Sequence, residues 1–96
     1  MAASKAYQNA KEGGRHSGFL RNYEALPDHL VEKAIRSMEV LKQKHQAWIA
    51  DPHSKVGPDA TEDEIGNLLR KKWPKDISRI EEQIAILRGL LKERRK

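Results

Sequence analysis

The chain has no cysteine, so it offers neither a disulfide nor a thiolate to act as nucleophile or zinc ligand, and its redox compartment is left open. Aromatic residues are few: Tyr7, Phe19, Tyr23, Trp48 and Trp73. Charged residues make up 34% of the chain, so the core must come mostly from Leu, Ile, Val and Ala. No apolar run approaches the roughly 20 residues of a membrane-spanning helix, and the first residues lack a hydrophobic signal core, so no membrane partner is expected. No segment alternates polar and apolar residues with a period of two, which argues against a sheet. A length of 96 residues suits one domain whose core is only just sufficient, without a large cavity, and no cofactor is expected.

What the chain does have is helical periodicity. Ile77, Ile80, Ile84, Leu87 and Leu91 form one stripe, and Ile86 and Leu90 form a second patch beside it. A helix over 75–95 with two apolar flanks needs more than one partner, so it reads as the central post of the molecule. A second long helix is expected over 27–50, with Pro27 at its start and Val31, Ala34, Met38, Leu41, His45 and Trp48 stepping by three and four. Thr61 and Glu64 fit a capping box, so a short helix should run over 61–73, ended by Pro74 through its restriction of Trp73. Residues 15–26 form a polar segment rich in reactive side chains, and 1–14 read as a flexible tail broken by Gly13 and Gly14 unless the core captures Tyr7. The expected fold is all-α: two long helices packed together, with the short capped helix crossing the Ile86 and Leu90 flank.

The net charge is +5, and its excess lies at the two ends of the chain, with a local knot at Arg70, Lys71 and Lys72. Such a balance suits a polyanion, RNA before DNA, or an acidic protein, and it also serves plain solubility. Metal chemistry is not expected, because the four histidines show no ligand spacing and no carboxylate cluster accompanies them. Metal-free RNA cleavage asks for less, since the 2′-hydroxyl is the nucleophile and the protein need supply only proton carriers and cations. His16, flanked by Arg15 and Arg21 and followed by Tyr23, has the required groups within nine residues; the bland alternative is a polar loop whose Phe19 and Leu20 plug the end of the bundle. His45, inside an apolar stripe, reads first as a packed core residue. Arg36 lies opposite that stripe and by itself is a solvated charge.

The runs His16-Ser17-Gly18-Phe19-Leu20-Arg21-Asn22-Tyr23, Ile35-Arg36-Ser37, His45 with Ile49-Ala50-Asp51-Pro52, Leu69-Arg70-Lys71-Lys72-Trp73-Pro74 and Glu82 to Leu91 resemble a helical domain at the carboxyl end of bacterial polymorphic toxins, of the Rhs and contact-dependent inhibition type. The likeness runs from about Gly14 to Leu91. It implies an interbacterial effector, commonly a nuclease, paired with an immunity protein that would be acidic, and acting in the cytoplasm of the producing or target bacterium. The chain begins with its own methionine, so it reads as an excised domain or a stand-alone relative, with delivery as part of a larger secreted protein open. On that reading His16, Tyr23 and His45 are the catalytic candidates, and Arg15, Arg21, Arg36, Arg70, Lys71, Lys72 and Trp73 would hold nucleic acid. The expected function is a metal-independent ribonuclease acting on tRNA or other structured RNA. Two alternatives stand beside it: a non-enzymatic basic helical module binding nucleic acid or an acidic protein, and a structural hairpin that pairs with itself through Ile86 and Leu90.

Overall fold

A computed structural model describes residues 5–95; the first four residues of the expected tail lie outside it. The protein is all-α and elongated, 51 × 25 × 24 Å. Helix α1 spans Lys5–Lys11, α2 Ser17–Glu24, α3 Asp28–Ala50, α4 Glu62–Asn67 and α5 Trp73–Arg94, with a short 3₁₀ turn at Pro52–Ser54.

Helix α5 is the post that its two apolar flanks predict. Ile80, Ile84, Leu87 and Leu91 are buried along one side, and Ile86, Gly89 and Leu90 along the next. Helix α3 lies antiparallel to α5, with the register fixed by a ladder in which residue numbers rise on one helix as they fall on the other. Glu32 meets Arg95, Glu39 meets Arg88, Lys42 meets Glu81 and His45 meets Asp76. Each exposed rung contributes at most about 1 kcal/mol, so the ladder selects the register while the buried stripe of Val31, Ile35 and α5 provides the stability.

The second flank of α5 is covered differently from expectation. The short helix does not lie across Ile86 and Leu90; α1 does. Tyr7 and Ala10 are buried there, and a β-carbon placed on Gly89 would stand 2.5 Å from Tyr7 Cγ. Residues 5–11 are therefore a docked helix rather than a tail, because Tyr7 supplies the apolar area that its alanines lack. Lys11 Nζ fixes the end of α1 at 3.2 Å from Glu93 Oε1. Since Ile86 is fully buried and Leu90 is 6% exposed, a self-pairing surface through these residues is excluded.

A second correction concerns Pro74. Thr61 caps α4 as its pattern predicts, its hydroxyl accepting from Glu64 N–H at 3.1 Å. The helix does not stop before the proline. Asn67, Leu68, Lys72 and Trp73 all keep right-handed helical dihedrals, and Leu68–Lys72 form a π-helical turn that joins α4 to α5 without a break. Trp73 N–H donates to Leu68 O, five residues back. A proline inside a regular α-helix collides with the carbonyl four residues earlier and leaves it unpaired; the widened turn absorbs both problems, so the chain continues in the same direction.

Arg94 closes the far end. Its Nη1 is 2.8 Å from Asp28 Oδ1, and its Nη2 donates to Glu24 O at 2.9 Å and Tyr23 O at 3.4 Å. One guanidinium thus satisfies carbonyls at the end of α2 and the acidic first turn of α3, locking the corner around Leu26.

Candidate functional site

Helix α2 starts at Ser17, which leaves His16 as its N-cap in the left-handed region at φ 66° and ψ 19°. Among the described residues no other non-glycine residue has positive φ. The conformation costs a β-carbon-bearing residue roughly 1 kcal/mol or more, and contacts on both sides of the ring hold it. Phe19 meets the imidazole edge-on at a centroid distance of 6.4 Å, and Tyr23 packs on Phe19 at 4.9 Å. Leu20, at 2% exposure, anchors the helix in the core. Both readings of this segment describe part of it: Phe19 and Leu20 plug the bundle, and the same packing presents His16.

The imidazole faces α5. Its Nε2 lies 3.1 Å from Glu82 Oε2 and 3.2 Å from Arg15 Nε, and Arg15 Nε lies 2.8 Å from the same carboxylate oxygen. One nitrogen cannot accept from a guanidinium and donate to a carboxylate at once. Each state of Nε2 nevertheless has its partner in place: the bare nitrogen accepts from Arg15, and the protonated one donates to Glu82. The side chain of His16 is 15% exposed and that of Glu82 32%, so the group is lined by protein on one side and open to solvent on the other. Glu82 is the residue that sequence reasoning passed over as a site member. It sits 66 positions from His16 and beside an apolar stripe, where a glutamate reads as a solvated flank; the only available signal was its place at the start of the Glu82 to Leu91 run.

The other catalytic candidate is elsewhere. His45 donates Nδ1–H to Leu41 O at 2.8 Å, packs at a tilt against Trp48 with ring centroids 4.5 Å apart and presents Nε2 to Asp76 Oδ2 at 3.6 Å. At 7% exposure it is a satisfied core residue. Its partner Asp76 and the partner of His16, Glu82, are six residues apart on α5, about 9 Å along the axis and about 120° around it. The two histidines therefore do not share a site.

The cation and stacking candidates disperse likewise. Trp73 is 2% exposed and packs on Trp48 with centroids 5.9 Å apart, so it cannot stack on a nucleotide. Arg21 is exposed on α2, one position past the buried Leu20, and forms no ion pair with Glu82 as Arg15 and His16 do. Arg36 is exposed on α3, and the amino-terminal segment packs on α5 rather than over it. Arg70, Lys71 and Lys72 are exposed on the π turn; Lys72 Nζ is 3.6 Å from Asp76 Oδ2, and Lys71 lines a shallow trough with Glu64, Leu68 and Lys75. Of the sequence candidates, Arg15 and His16 are brought together, and Tyr23 adjoins them only through Phe19. No group of three His, Asp or Glu side chains among the described residues is placed to hold a metal, and no described helix is long and apolar enough to cross a membrane.

Compared with protein-family models, curated proteins and solved structures, the chain matches none of them.

Proposed function

We propose that the chain is a toxin-type effector domain that cleaves RNA without a metal, with His16 as its proton carrier. The observation that carries this reading is the double provision at His16 Nε2, where either protonation state has a charged partner within 3.2 Å. A group that must gain and lose a proton within one turnover needs such an arrangement, and a purely structural histidine does not.

In the cleavage step the bare Nε2 takes the proton of a ribose 2′-hydroxyl while the 2′ oxygen bonds to the adjacent phosphorus. The bond from phosphorus to the 5′ oxygen breaks, that oxygen takes a proton from water, and a 2′,3′-cyclic phosphate remains. Glu82 stabilises the imidazolium that forms, and Arg15, released from Nε2 as it protonates, balances charge on the phosphoryl oxygens. Phe19 meets the imidazole edge-on, with Tyr23 packed behind it. The resemblance to polymorphic-toxin domains supports the biological setting, with a target-cell RNA as substrate and an acidic immunity protein as the natural inhibitor.

The test is induction of the wild-type chain, His16→Gly and Glu82→Gln inside a bacterium, with total RNA followed on a denaturing gel over the first minutes. Discrete fragments from wild type, lost in His16→Gly, are expected. Intact RNA and normal growth with the wild-type chain would reject the reading.

A second reading has its own support. The exposed cations of the widened turn, with Lys75 one helical turn beyond Lys71, suit phosphate contacts that require no chemistry. A basic module that only binds would lose RNA affinity on Lys71→Glu and Lys75→Glu and be indifferent to His16.

A further inference from the structure

Helix α3 has one flank that none of the described residues covers. Among the described residues the three large apolar side chains that remain exposed all lie on this helix: Leu30 at 38%, Val40 at 51% and Leu41 at 40%. Leu30 and Leu41 belong to an open trough of about 410 Å³ whose floor is Tyr23, Leu26, Leu30, Ala34, Met38 and Leu41. Along α3 the trough follows positions 30, 34, 37 and 41, steps of four, three and four, for about 16 Å. That is the spacing and length with which a groove receives the apolar face of one helix of about three turns.

Charge identifies the occupant. All three carboxylates of α3 are turned to α5 and paired with its arginines: Asp28 with Arg94, Glu32 with Arg95 and Glu39 with Arg88. The trough side and the solvent face carry Lys33, Arg36 and Lys44, which form no ion pair among the described residues, and no acidic residue of α3 stands with them. The α3 rim of the trough is thus cationic beside an apolar floor, with Lys33 lining it and Lys44 on the same flank. A second copy of this chain would bring lysine against lysine, and the floor, with one aromatic ring, gives a nucleic acid little to stack on. We infer that the α3 trough is the docking site for an acidic amphipathic helix of a partner protein, with leucine-like anchors at the i, i+4, i+7 and i+11 positions and carboxylates on the flank that meets Lys33 and Lys44.

This inference stands apart from the cleavage reading: of the trough residues only Tyr23 stands near the His16 group, behind Phe19, and none of the substitutions below touches it. The probe is a synthetic helical peptide with leucines at those four positions and glutamates flanking them; its control keeps the leucines and replaces every glutamate by lysine. Binding is read by fluorescence anisotropy on the full chain, and the chain alone is examined by sedimentation over a concentration series. Saturable binding of the glutamate peptide, weaker by about tenfold or more for the lysine peptide, is expected. Leu41→Gln should weaken it by a similar factor, and Lys33→Glu with Lys44→Glu should invert the preference between the two peptides. These side chains are exposed, and an unchanged circular dichroism spectrum confirms that the fold persists. Absence of saturation with the glutamate peptide at millimolar concentration, equal binding of both peptides, full displacement by single-stranded RNA, or self-association abolished by Leu41→Gln would each overturn the inference.

Discussion

The ring of Tyr7 rests directly on the backbone of α5 at Gly89, where a methyl group added to the glycine would meet Tyr7 Cγ at 2.5 Å, Cβ at 2.6 Å and Cδ1 at 2.9 Å. This contact is what turns a short, alanine-rich segment into the cover for Ile86 and Leu90. In an ordinary helix, Gly→Ala stabilises by about 1 kcal/mol. Here Gly89→Ala should instead destabilise by about 1–3 kcal/mol, because the ring has no flexible end to move aside. In a Tyr7→Ala background the same substitution should return to neutral or stabilising, so a double-mutant cycle by urea denaturation would show strong coupling. Additive effects would mean that α1 does not hold this position.

Alkaline pH should release α1. Burial is the main cause that raises the Tyr7 phenol above its ordinary 10.0, and Lys11 is raised above 10.5 first by its hydrogen bond to Glu93 and then by that residue's charge. For both groups the folded value exceeds the unfolded one, so the stability they contribute is complete below the unfolded values and is lost as pH rises through the folded ones. The urea midpoint should therefore fall between about pH 9 and pH 12. Ultraviolet titration of a Tyr23→Phe variant should show phenol ionisation above the free-tyrosine midpoint; a midpoint at or below it would contradict the docked ring.

Arg94→Lys should cost about 1–2 kcal/mol despite keeping the charge. An ammonium cannot reach Asp28 and the Glu24 carbonyl with the fork geometry of a guanidinium. Hydrogen exchange should speed up at the end of α2 and the first turn of α3 more than in the α4 region. Uniform acceleration would place the effect elsewhere.

His16 offers a comparison between two truncations. Glycine adopts positive φ without a steric cost and alanine does not, so His16→Gly should be more stable than His16→Ala by about 1 kcal/mol, although both lose the imidazole. Thermal melts of the pair measure the strain held at this residue. Equal melting temperatures would show that the backbone relaxes when the side chain is gone.

The helices and the central role of α5 were readable from residue spacing, because each stripe is a local repeat that only a helix converts into a continuous face. The capping threonine was readable for the same reason: Thr61 and Glu64 meet within one turn. Pro74 misled because the rule that a proline ends a helix assumes α-geometry, and a π-helical turn changes the geometry to which the rule applies. The site was legible only in part. Arg15 and His16 are adjacent in the chain, so their association was visible, whereas Glu82 reaches His16 only through the docking of α2 on α5. His45, Trp73 and Arg36 share a chemical vocabulary with His16 but not a location. Composition and periodicity settle how much apolar surface each helix must hide; which partner hides it depends on side-chain shape at the contacts, as with Tyr7 over Gly89, and on pairings such as Arg94 with Asp28 that join residues far apart in the chain.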